Sequence, residues 1–144
     1  MSKIPIISAG VVIVRKENDQ YKFLMMRSGN YNEASAKGKV NTGEDQFDAA
    51  LREVEEETTI KPEQLNFRWG KVKYTTEPYT KTKNKTAVFY LAETQVKDFI
   101  IPVNPEIGKR EHDSYSWLFY DEAKKIVVPR IEKVLDWANE IITK

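Results

Sequence analysis

Between Gly38 and Ile60 the chain reads G-x5-E-x7-R-E-V-x-E-E-x-T-I, and no other stretch constrains the fold as much. Phe47, Ala50, Leu51 and Val54 recur at helical spacing, which predicts a helix over residues 45–58 with one apolar stripe. The opposite face carries Glu53, Glu56 and Glu57. Glu53 and Glu57 are i,i+4 neighbours, and Glu53 and Glu56 are i,i+3 neighbours, so three carboxylates leave one side of the helix. Like charges at these spacings repel by roughly 0.2–0.5 kcal/mol per pair. One reading is a solvated acidic face with Arg52 as partial counterion. The other is a bound cation that cancels the repulsion. The upstream Gly38 and Glu44, at fixed spacing, favour the cation.

Composition narrows which cation. The chain has no cysteine, which removes thiolate zinc sites, disulfides and cysteine nucleophiles and fits a reducing cytosol. Its one histidine, His112, excludes a histidine-rich zinc site. Oxygen ligands remain, and these suit Mg2+ or Mn2+. A formal net charge of +1 argues for neither a nucleic-acid nor a membrane partner. No apolar run is long enough to span a bilayer, and Met1–Pro5 lacks a signal-peptide core, so a cytoplasmic protein is expected. The 144 residues fit a single domain, 1–144, with an adequate core.

Around the helix the pattern is mostly strand. The β-branched run of residues 6–15 predicts a buried strand, and Asn18-Asp19 a turn into a second strand over 21–27. Residues 28–43 are polar and rich in Gly and Asn, and read as a loop. Strands are predicted over 67–75, 86–93 and 115–120, with a lysine-rich loop at 76–85. A short helix follows, and a last helix opens near Pro129, with Ile131, Val134, Leu135, Ala138, Ile141 and Ile142 at helical spacing. A mixed sheet between helices results.

Clustered carboxylates suit a hard cation that polarises a phosphoryl oxygen and lowers the pKa of a bound water. With that chemistry in view, the segment from Gly38 to Ile60 resembles the Nudix hydrolase signature, G-x5-E-x7-R-E-U-x-E-E-x-G-U, where U is a bulky apolar residue. Gly38, Glu44, Arg52, Glu53, Val54, Glu56, Glu57 and Ile60 match in register. Thr59 departs from it, standing where the family usually has a helix-ending glycine. The resemblance implies an α/β fold, an α/β/α sandwich around a mixed sheet, and metal-dependent hydrolysis of a nucleoside diphosphate linked to another group. It implies Glu53, Glu56 and Glu57 as metal ligands, with Glu53 or a partner as base. Arg52 would orient the glutamates, Glu44 would support the loop–helix junction or an outer metal, and the carbonyl beside Gly38 would offer another oxygen.

Three further segments resemble the asymmetric diadenosine tetraphosphate hydrolases of that family: Ser8–Ile13, Lys83–Ala92 and Glu111–Leu118, the last reading E-H-D-S-Y-S-W-L. By that resemblance Glu111 is a fourth catalytic and metal-binding carboxylate. A dinucleoside polyphosphate is strongly anionic, and Lys37, Lys39, Lys81, Lys83 and Lys85 are candidates for its phosphates, or else solvated lysines. Adenine needs a flat apolar platform, and Tyr74, Tyr79, Tyr90 and Tyr115 are candidates, or else core and rim residues. His112 either contacts the ligand or makes a local hydrogen bond. The expected partner is a small-molecule nucleotide substrate, and the protein is expected to be a monomer. Before Gly38 the sequence Glu33–Lys37 lacks the tryptophan and proline usual in that subfamily, and Lys39 replaces its histidine. This opens a second class of substrate: an RNA 5′ end, a nucleoside triphosphate or a diphosphoinositol. A third reading is a nucleotide-binding module without turnover, against which every acidic residue of the signature is retained.

Overall fold

The computed structural model describes residues 4–29, 31–33, 35–110 and 112–144. Its centre is a pair of parallel strands, β1 (Ile6–Glu17) and β7 (Lys85–Thr94), in register from Ile6 opposite Lys85 to Val14 opposite Glu93. β2 (Gln20–Ser28) folds back on β1 through Asn18 and Asp19, both with positive φ (51° and 67°). Two such residues make the tight hairpin turn whose twist matches that of the strands.

β2 leaves β1 after Phe23, which pairs with Val14; beyond it β3 (Tyr31–Glu33) pairs with Met26–Ser28, and β8 (Ser114–Phe119) pairs with β2 from Lys22 to Arg27. The vacated half of β1 is taken by β4 (Ser35–Lys39), antiparallel, with Gly38 opposite Ala9. β7 is shared in the same way, by β5 (Leu65–Asn66) at one end and β6 (Lys73–Thr75) at the other. The sheet therefore splits at both edges, and α1 (Gln46–Thr58) lies over β1 and β4.

Strand alternation divides the interior into two cores. Val11, Ile13, Leu24, Met26, Val88 and Tyr90 point to one face and pack with Ala49, Ala50 and Val54 of α1. Val12, Val14, Phe23, Met25, Phe89 and Leu91 point to the other. There they meet Ala123 of α2 (Tyr120–Lys124) and Ile131, Val134, Leu135 and Ala138 of α3 (Pro129–Ile142). This is the α/β/α sandwich expected from the sequence. No helix among the described residues is long and apolar enough to cross a membrane.

Two local expectations are corrected. The predicted loop at 28–43 contains β3 and β4, because edge strands are held by ladder bonds to β2 and β1 rather than by apolar side chains. The predicted strand at 67–75 breaks at Gly70 (φ 85°), whose N–H closes a turn on the Phe67 carbonyl, leaving only β6 of it as strand, with β5 lying just before it.

Candidate active site

The acidic helix is anchored at its start. Asp45 caps α1 by accepting from the N–H groups of Phe47 and Asp48 at 3.0 and 3.1 Å. Caps of this kind are worth about 1 kcal/mol. The far end is held against local preference. Thr59 takes the left-handed conformation (φ 64°) and its N–H bonds the Glu55 carbonyl at 2.9 Å. Its neighbour Thr58 is fully buried, donates to the Val54 carbonyl at 2.7 Å and accepts from the Ile60 N–H at 3.0 Å. The turn that a glycine usually makes is thus kept by a β-branched residue, at a cost of about 1–2 kcal/mol.

Between these ends Arg52 gathers the carboxylates. Its Nε and Nη2 grip both oxygens of Glu44, at 2.9 and 3.0 Å. Nη1 donates to Glu53 at 2.7 Å and Glu56 at 3.2 Å, and Nη2 also reaches the Lys39 carbonyl at 2.9 Å. All five guanidinium N–H groups have an acceptor, a pattern that lysine's compact ammonium cannot reproduce. These bonds, those to Glu44 foremost, raise the Arg52 pKa further and keep it charged. Glu44 also accepts the Asn41 N–H at 3.0 Å. The Arg52 hydrogen bonds, then the Asn41 bond, hold its carboxyl below the usual carboxylate range. Glu44 therefore ties the loop after β4 to α1.

Gly38 is explained by contact. A Cβ there would fall inside the Glu53 carboxylate, so the strand next to α1 must carry glycine for Glu53 to lie where it does. Glu57, one turn on, is only 5% exposed, and its Oε1 lies 3.4 Å from Nδ1 of the equally buried His112.

Glu53, Glu56, Glu57, Arg52, Lys39, Asn41 and His112 line a cleft of about 510 Å³, whose other wall is the segment from Ile101 to Glu106. That wall was missed in the sequence, where Pro102 and Pro105 interrupt any periodic pattern. Asn41 was missed as well, since its contribution is a backbone N–H.

The remaining sequence candidates are dispersed. Glu111 lies outside the described residues. Lys37 pairs across from Gly10 in β4. Lys83 sits in a turn with positive φ, and Lys85 opens β7; neither lines the cleft, and nor does Lys81. Tyr90 is a core residue, 5% exposed and edge-on to Phe47 at 5.0 Å between ring centroids. Tyr74 and Tyr79 face the α3 side, Tyr74 against Trp137 and Tyr79 beneath the Arg130 guanidinium at 3.8 Å. Tyr115 stacks on Phe99 at 4.0 Å, and its hydroxyl accepts the Phe99 N–H at 3.2 Å. Tyr74, Tyr79 and Tyr90 therefore do not line this cleft.

The donor set fits a hard divalent cation: three carboxylates on one cleft wall, no competing sulfur, and the space that glycine leaves for Glu53. Among the described residues the acidic and histidine side chains do not converge into a ready-made cage. Arg52 accounts for this, since it draws Glu53 and Glu56 to itself.

Residues 5–138 match the NUDIX domain. The chain belongs to the Nudix family. It is 32% identical over 124 residues to bis(5'-nucleosyl)-tetraphosphatase [asymmetrical] of Rattus norvegicus, covering 81% of this chain and 80% of that protein. The protein of the same description from Sus scrofa is 34% identical, with the same coverage. Among solved structures, a binary complex of the C. elegans Ap4A hydrolase superposes with a TM-score of 0.82 at 26% identity, covering 96% of this chain and 98% of that one. Nudix enzymes are hydrolases that generally need a divalent metal, and the cleft is where this member's acidic residues meet.

Proposed function

We propose that this chain hydrolyses a phosphoanhydride bond of a dinucleoside polyphosphate, cleaving diadenosine tetraphosphate asymmetrically to ATP and AMP. The observation that carries the reading is the cleft itself. It brings Glu53, Glu56 and Glu57 to one wall in a chain whose relatives are named as asymmetric tetraphosphatases. Water adds to phosphorus, one P–O–P bond breaks, and the leaving oxygen keeps the electron pair.

In this reading Glu53, Glu56 and Glu57 hold Mg2+, or Mn2+, and Glu111 joins them by resemblance. The ion, when bound, neutralises phosphate charge and acidifies water. Glu53 or a neighbouring carboxylate takes the water's proton. Arg52 keeps the carboxylates aligned as a planar, always-charged fork. Lys39, on the cleft wall, and Lys37, two residues before it on β4, meet phosphates as point charges in this reading. His112 lies in the same wall. In this reading the protein acts in the cytosol, as a monomer.

Product analysis tests the reading. With Mg2+ and diadenosine tetraphosphate, equimolar ATP and AMP are expected. Absence of cleavage at micromolar enzyme, or preference for an RNA 5′ end, a nucleoside triphosphate or a diphosphoinositol in a parallel panel, would overturn it.

A further inference from the structure

We propose that His112 is a positioning residue for Glu57, its Nδ1–H fixing the direction in which that carboxylate faces the cleft. The proposal rests on the reading of Glu57 as a metal-holding group. The side chains of Glu57 and His112 are 4% and 6% exposed, and Nδ1 and Oε1 are 3.4 Å apart. Burying a carboxylate is costly unless a polar group meets it. Here the imidazole comes from the segment leading into β8, and the carboxylate from the last turns of α1.

That segment is itself fixed. The N–H of Asp113 donates to the Arg27 carbonyl at 2.7 Å, and the Asp113 carboxylate accepts the Gly29 N–H at 2.7 Å. The backbone carrying His112 is thereby stitched to the end of β2, so the ring is presented to α1 from a rigid support. At 3.4 Å the contact is longer than an ordinary N–H···O bond, as such contacts often are before a ligand arrives and tightens them. Partners that orient a metal-holding carboxylate commonly change metal affinity by about 10–100-fold when removed.

The chain has one histidine, so its imidazole 15N spectrum contains a single pair of resonances. The expected result at neutral pH is a proton on Nδ1 and a shift of that resonance as Mg2+ saturates. Two variants separate positioning from packing. His112→Asn keeps an N–H near the Nδ1 position, whereas His112→Gln matches the ring's volume better but moves its N–H to the Nε2 position. Mn2+ binding, read by electron paramagnetic resonance, is expected to stay near wild type in His112→Asn and to weaken about tenfold in His112→Gln.

A proton on Nε2 with no response to Mg2+, or equal Mn2+ affinity in wild type and both variants, would overturn the proposal while leaving the metal reading intact. A wild type that binds neither ion overturns both. Should either variant fail to fold, the wild-type 15N result decides alone.

Discussion

Helices α1 and α3 flank the same sheet with nearly equal length, 13 and 14 residues, and yet are built to different ends. α3 buries Ile131, Val134, Leu135 and Ala138 and opens with a proline at its first position. The apolar stripe and the proline agree with stability, and the one local feature against it is Val128, which leaves the N-terminus without a side-chain cap. α1 buries Ala49, Ala50 and Val54 just as completely, but it also buries Glu57, crowds Glu53 and Glu56 around Arg52, and ends on a threonine in a left-handed conformation. Features that disagree with local preference are concentrated on the helix that lines the cleft, which is how a functional element differs from a supporting one.

Substitutions can break that contrast. The largest effect is expected from Leu135→Ala on α3, which empties a fully buried position. Unfolding in denaturant should show a loss of about 2–5 kcal/mol. Activity per folded molecule should be unchanged. Gly38→Ala should do the reverse. Its Cβ must displace the Glu53 carboxylate, the flexible end of a side chain, so stability should fall little. Misplacement on the scale of 1 Å can reduce turnover by about 100-fold, and steady-state kinetics with diadenosine tetraphosphate would read it.

Smaller effects sharpen the same contrast. Thr59→Gly should raise the melting temperature, gaining about 1 kcal/mol by relieving the left-handed conformation. The smallest effect belongs to Glu44, whose carboxyl is held low by Arg52 and Asn41. A depressed folded-state pKa adds stability above the unfolded value, about 4.3, and that stability disappears as pH falls through the folded value. Glu44→Gln should therefore melt slightly below wild type at neutral pH. The gap should close when pH is lowered past the folded-state value.

Much of this division was legible in the chain itself. The apolar stripes of α1 and α3, the β-branched run of β1 and the turn at Asn18-Asp19 are local signals, and each led to the right element. The acidic signature also placed Arg52, Glu53, Glu56 and Glu57 together. What stayed hidden depends on contacts distant in sequence. β4 is a strand because β1 has an unpaired half, not because of its own residues. The tyrosines were candidate platforms in the sequence but could not be assigned to a face, since alternation fixes the face only once register is known. The wall from Ile101 to Glu106 carries Asn104 and Glu106 but matches no motif in the sequence; it matters because it lines the same cleft as α1.

One measurement reaches the centre of the account: a crystal structure with Mg2+ and a non-hydrolysable dinucleoside tetraphosphate. The expected result is metal on Glu53, Glu56 and Glu57, with the polyphosphate in the cleft between α1 and residues 101–106. A polyphosphate seated on the α3 face beside Tyr74 and Tyr79, or metal bound away from these carboxylates, would contradict it.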